Sequence, residues 1–218
     1  GRPHMSAPDL EFFFDPVCPW AWITSRWVEE VRGLRSYDVR WRFISLKLLN
    51  ANNTADWYSD QYKRWHAMGH EALRVAARID AELGNDGVGR FYATLGTEGH
   101  NKGRRNDFAA STESFVGEVL KIAGLDRGFI DAAFDESLDA TIVADTELAL
   151  QRTGRDVGTP ILTFRPGRPD EGSFFGPVIA RIPRGDEALR LWDAVEVVAT
   201  TPGVAELKRS NRSAPVFD

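Results

Sequence analysis

The chain has 218 residues, 43% hydrophobic and 27% charged, with 27 Lys and Arg against 32 Asp and Glu and a formal net charge of −5. These are ordinary globular values, enough for one large domain or a domain carrying an insertion. The acidic balance argues against a general nucleic-acid binder, no apolar run approaches a membrane span, and no charged-then-apolar leader ends in a cleavage site, which together predict a cytoplasmic protein.

Gly1-Arg2-Pro3-His4-Met5 reads as an expression scar followed by the initiator, and His4 is set aside with it. Leu10 to Phe14 is a nearly continuous aromatic run that suits a strand buried on both faces. It leads through Asp15-Pro16-Val17 to Cys18, and Pro19 then opens a helix at a position that needs no N–H donor. Trp20, Ile23, Trp27 and Val31 recur at near-helical spacing, and Gly33 is placed to end the helix. Val39, Trp41 and Phe43 alternate with Arg40 and Arg42, the period of a strand with one buried face.

After a polar break at Asn50 to Thr54 the pattern predicts a helix over Asp56 to Leu83, an interruption over Gly84 to Gly89, and further helical stretches around Phe91–Leu95, Thr112–Ala123, Arg127–Phe134 and Leu138–Arg152. No strand is predicted between them. Strand character returns over Val157–Phe164 and Phe174–Ile179 as a hairpin, and a last helix starts near Asp186 as N-cap. The order β–α–β, helices, β–β–α is that of a thioredoxin-type fold: an α/β domain over 8–52 and 153–203, interrupted by an all-helical insertion over 53–152.

The lone cysteine carries the chemistry. At a helix N-cap the unpaired N–H groups and the dipole favour thiolate, and such cysteines titrate at roughly 3.5 to 7.5 against about 8.5 for a free thiol. Cys18 is therefore expected to be nucleophilic near neutral pH. With one cysteine in the chain, no intramolecular disulfide forms and another molecule has to complete any redox cycle. Trp20, beside the sulfur, is placed to stack on a planar substrate, whereas Trp22 suits core packing. His66 and His70 stand one helical turn apart without a third ligand, so no metal site is expected. His100 to Arg105 is a basic stretch suited to a solvated connection or to an anionic or sugar-bearing ligand. Gly84 to Gly89 follows a helix and lacks the context of a dinucleotide loop.

Phe14-Asp15-Pro16-Val17-Cys18-Pro19-Trp20, Thr24-Ser25-Arg26-Trp27, Leu48-Leu49-Asn50, Val157-Gly158-Thr159-Pro160 and Phe175-Gly176-Pro177-Val178 together resemble the DsbA-like branch of the thioredoxin superfamily, and within it the actinobacterial mycothiol-dependent nitroreductase group. The resemblance implies a thiol-dependent oxidoreductase with Cys18 as catalytic nucleophile, Pro160 as a cis-proline facing it, and Pro19, Trp20, Asn50, Tyr62 and Thr159 as substrate or thiol contacts. It implies mycothiol as co-substrate, nitroaromatic or disulfide acceptors, and no metal. Asn50 serves equally as a helix cap or turn, and Tyr58 and Tyr62 serve equally to cover the first helix. Many relatives carry a second cysteine where Ala21 stands; here either a natural monothiol enzyme or a replaced resolving cysteine is consistent with the sequence. A kappa-class-like thiol transferase or isomerase and a non-catalytic binding domain are the competing readings, and the oligomeric state is not encoded in any motif.

Overall fold

The computed structural model describes residues 7–218, so the presumed scar at 1–5 lies outside the described residues. Four strands, β1 Leu10–Phe14, β2 Val39–Phe43, β3 Ile161–Phe164 and β4 Gly172–Phe175, form one sheet in the order β2-β1-β3-β4. β1 runs parallel to β2 and antiparallel to β3, and β3 is antiparallel to β4. The first two strands are joined by α1, Pro19–Leu34, and the sheet is followed by α8, Gly185–Thr200. Between β2 and β3 every regular element is helical: α2 Leu46–Leu49, α3 Asp60–Leu83, α4 Asn85–Gly96 with a π-helical extension Thr97–Asn101, α5 Arg105–Ala110, α6 Thr112–Ile122, two 3-10 segments over Arg127–Phe134 and Glu136–Leu138, and α7 Asp139–Thr153. This is the α/β, DsbA-like thioredoxin architecture expected from the element order.

The two faces of the sheet differ. Leu10, Phe12 and Phe14 alternate onto one face with Trp41 and Phe43, where they pack on α1, α4 and α8; Phe12 and Trp41 rings stand 5.1 Å apart. Trp27 of α1 meets Trp192 of α8 at 5.4 Å and donates its indole N–H to the Ala188 carbonyl at 2.9 Å. Phe13 turns the other way, into a small cluster with Ile44, Ala149 and Ile161. Glu11 beside it is buried and paired with both Arg42 and Arg152, and Asp145 holds Arg42 and the Phe43 N–H. A buried carboxylate is tolerated only when paired in this way.

The last helix of the insertion shares in these contacts. Asp145, Ala149 and Arg152 place α7 on the sheet, while Asp139 at its start pairs with His70 and Arg74 of α3, so α7 ties the insertion to the thioredoxin layer. The pattern from 84 to 89 is corrected. Only Gly84, at φ +87°, breaks the chain, and α4 begins at Asn85. A Cβ on Gly87 would stand 2.8 Å from Ile79 Cγ2, and one on Gly89 2.8 Å from Trp41 Nε1, so these glycines serve close packing rather than a turn. Gly33 lies inside the last turn of α1, which ends at Leu34, and Asp186 sits in the first turn of α8 behind Arg184 as N-cap. Acidic side chains in a first turn still favour the helix through its dipole.

The outer edge of β2 is met by side chains. Asn85 accepts from the Trp41 N–H at 2.7 Å and donates to the Trp41 carbonyl at 2.9 Å, and Asp145 accepts from the Phe43 N–H at 3.1 Å. No helix among the described residues is long and apolar enough to cross a membrane.

Candidate active site

β1 delivers the chain to a tight loop at Asp15–Val17, and α1 starts one residue after Cys18. Cys18 is the N-cap, as its place before Pro19 predicts: its sulfur accepts from the Ala21 N–H at 3.4 Å. Its thiol points to the Thr159 carbonyl at 3.7 Å, across 141 residues of sequence, and the Thr159–Pro160 peptide is cis. The loop is held by Asp15, a fully buried carboxylate that accepts from Val17 N–H at 3.0 Å and Leu46 N–H at 2.8 Å, while its carbonyl accepts from the Cys18 N–H at 3.2 Å. Gly69 of α3 makes this seat possible, because a Cβ there would fall 2.6 Å from Asp15 Oδ1.

The electrostatics depart from the expectation of a ready thiolate. Cys18 is only 8% exposed, and burial pushes its thiol above the ordinary range. The neighbouring Thr159 and the Ala21 and Trp20 N–H groups pull it down, and the Asp15 carboxylate pushes it up further. Desolvation outweighs the helix terminus here, since a buried charge loses more hydration than a few N–H donors return. Asp15 is itself raised by burial to about 7 against its two N–H donors. Its folded-state value lies above the ordinary one near 3.9, so the stability it contributes is fully present below about pH 4 and is lost as pH rises through about 7. Asp15→Asn removes the neighbouring charge. Iodoacetamide alkylation of Cys18 at mildly alkaline pH should then run roughly two- to five-fold faster, and an unchanged pH–rate curve would remove Asp15 from the sulfur's field.

The other predicted contacts divide. Pro19, Trp20, Thr159 and Pro160 come together around the sulfur. Thr159 is 5% exposed, and its hydroxyl has no partner among the described residues, an unusual state for a buried donor. Asn50 caps α2 and is engaged in its own turn, donating to the Leu46 carbonyl and accepting from Asn53, both at 2.9 Å. Tyr62 is 41% exposed on the first turn of α3, with its ring between Trp57 and Trp65, and no hydrogen bond joins it to the Cys18 group. Tyr58 is hydrogen-bonded to His66 instead, its hydroxyl 2.8 Å from Nδ1. His70 stands between Ser45 Oγ and Asp139, each at 2.8 Å, so the two histidines serve separate hydrogen-bond networks.

Two groups near the sulfur escaped the sequence reading. His100, placed there in a solvated basic stretch, packs on Trp22 at 6.0 Å, nearly parallel, and its Nε2 donates to the Pro16 carbonyl at 2.9 Å. Burial lowers it to about 4, which leaves it neutral and able to donate. Asn101 accepts from the Trp22 indole N–H at 2.8 Å. The cations that follow are paired, Lys102 with the buried Glu98 and Arg104 with Glu98, Asp107 and Glu118, while Arg105 lies over the Trp65 ring at 3.7 Å. Asp15 stood in the motif before the cysteine, but its role as the buried carboxylate of the loop was not read from the sequence either.

Comparison with known proteins agrees with this arrangement. The cytosolic disulfide reductase DsbM of Pseudomonas aeruginosa has the same fold: its structure with GSH superposes with a TM-score of 0.55 at 16% identity, over 85% of this chain and 98% of that one. A second DsbM structure gives 0.54 at 19% identity, over 86% and 98%. The uncharacterized protein Rv2286c of Mycobacterium tuberculosis is 32% identical over 210 residues, 95% of this chain and 84% of the relative. The profile of the Rv2466c-like family, described as mycothiol-dependent nitroreductase Rv2466c, matches residues 17–209. Since that match takes in the cysteine, α1, the whole insertion, the cis-proline strand and α8, the chain belongs to the Rv2466c-like mycothiol-dependent nitroreductase family and is a thiol-dependent oxidoreductase.

Proposed function

We propose that the enzyme works through the single Cys18 sulfur and a low-molecular-weight thiol, mycothiol, on nitroaromatic or mixed-disulfide acceptors. The observation that carries this is the meeting of Cys18, at the α1 N-cap, with Thr159 beside the cis-proline, where a buried hydroxyl is left for an incoming partner. On a disulfide R–S–S–R′ the Cys18 thiolate attacks the sulfur bearing R, forms the mixed disulfide of Cys18 with RS and expels R′S⁻; a second thiolate then attacks that same RS sulfur, forming a new disulfide and releasing Cys18 as thiolate. No residue of this chain performs that second attack, since Ala21 occupies the place of a resolving thiol. For a nitro group the first two-electron step consumes two thiols and gives the nitroso compound, one disulfide and water. Trp20 supplies the planar surface and Thr159 the hydrogen bond. Asn50 and Tyr62 act at the rim, Asn50 after release from its turn.

Intact-mass measurement after exposure to oxidised mycothiol tests this. The expected result is one mycothiol added per chain, absent in Cys18→Ser, with a smaller yield from oxidised glutathione; no adduct from either disulfide overturns the scheme. One observation favours a second reading: the thiol of Cys18 is pushed up, as suits a kappa-class-like transferase in which the bound thiol's own sulfur is activated.

A further inference from the structure

The stretch after α8 has no helix or strand, and each residue from Thr201 to Val216 is exposed, yet Phe217 is half-buried. It is tied at three points. Arg212 lies over the Trp20 ring, its guanidinium carbon 5.6 Å from the centroid. The Val216 N–H donates to the Ala180 carbonyl at 2.7 Å. The Phe217 carbonyl accepts from Asn101 Nδ2 at 3.0 Å, and its ring rests 5.6 Å from that of His100.

Two of these anchors join residues close to the cysteine, and the third reaches α1 indirectly. Trp20 follows it by two residues, and His100 is bonded to Pro16, two residues before it. Ala180 leaves the cis Gly176–Pro177 peptide, whose Pro177 carbonyl accepts from Thr24 of α1 at 2.8 Å. Asn101 holds Trp22 with one end of its amide and Phe217 with the other. Between Ser213–Val216 and the segment from Ile179 to Leu191 lies a cavity of about 450 Å³. The stretch is thus fixed at its points and unsupported between them. The family match ends at residue 209, before Arg212, Val216 and Phe217.

We propose that residues 210–218 form an outer wall of the Cys18 site, with Arg212 and Phe217 as specificity-determining residues: the wall admits small thiols and small disulfides and excludes disulfides carried on a protein. A polypeptide partner docks by pairing its backbone along an open edge, and Val216 already occupies the Ala180 carbonyl. A compact thiol needs only the Trp20 face and the Thr159 hydroxyl. This rests on Cys18 as the reacting group, but the test below reads access to the sulfur and needs no turnover, so it separates a failed wall from a failed enzyme.

Cys18, the only cysteine, is alkylated with iodoacetamide and with a maleimide on polyethylene glycol of a few kilodaltons, in the full chain, in a chain lacking residues 210–218, and in an Arg212→Ala, Phe217→Ala double variant. Local release of a covering segment raises the rate in proportion to the open population. The bulky reagent should therefore gain roughly ten-fold or more on removal of the wall, and the small reagent less than about three-fold, with the double variant between. Equal gains for both reagents, or no gain for the bulky one, overturn the proposal. Circular dichroism verifies folding, and should the shortened chain unfold, the double variant alone decides by the same ratio.

Discussion

Cys18→Ser is expected to lower thiol-dependent turnover by about 10³-fold or more while leaving the fold intact. A serine oxygen cannot form a mixed disulfide, and its proton is far harder to remove than that of a thiol, even one pushed up by burial. No other sulfhydryl exists in the chain to take over. The structural cost is small because the hydroxyl is close in size and has the Thr159 carbonyl as acceptor, so a stability change within about 1 kcal/mol is expected. Steady-state reduction of a small mixed disulfide and of a nitroaromatic, with mycothiol as reductant, checks the rate; a thermal melt checks the fold. Retention of most of the activity would move the chemistry to the bound thiol, as in the kappa-class-like reading.

Gly96→Ala should be strongly destabilising although it touches no candidate site residue. A Cβ at position 96 would lie 2.2 Å from two atoms of the Trp22 ring and 2.6 Å from a third. Trp22 is buried and held by the Asn101 bond, the His100 ring and the Arg26 guanidinium 4.2 Å from its ring centroid, so moving it breaks each of these contacts. Overpacking of this kind costs about 3 kcal/mol, which for a chain of this length lowers the melting midpoint by about 6 to 12 °C. Gly99→Ala is the control: nothing stands within 4 Å of its added carbon, and a change below about 1 kcal/mol is expected. Equal midpoints for the two variants would mean that α4 does not press on Trp22. Because Trp22 supports the His100–Pro16 contact, Gly96→Ala should also loosen the cysteine loop, seen as faster alkylation of Cys18.

The elements that position the site were legible because they depend on local chemistry. The aromatic run of β1, the proline after Cys18 and the alternation Val39–Trp41–Phe43 each carry a signal within a few residues. The sulfur's location at a helix tip followed from Pro19 alone. Its protonation did not: the N-cap argument counts the donors near the sulfur, whereas burial under residues far along the chain sets the larger, opposite effect. Gly87 and Gly89 were misread for a similar reason, since a packing glycine and a turn glycine look alike until the partners, Ile79 and Trp41, are in place. His100 and Phe217 had no local signature, because their value lies in meeting Trp22 and one another across the fold. The assignment of α7 to the sheet likewise rests on Asp145, Ala149 and Arg152 finding β1 and β2.

Asn85 has a consequence at the margin of the molecule. By answering both hydrogen-bonding groups of Trp41 with one amide, it imitates a neighbouring strand and leaves that flank nothing to offer a second chain at this point. Loss of the amide would expose a parallel aromatic strand as a template for self-association, so this single side chain guards solubility at a place remote from any chemistry.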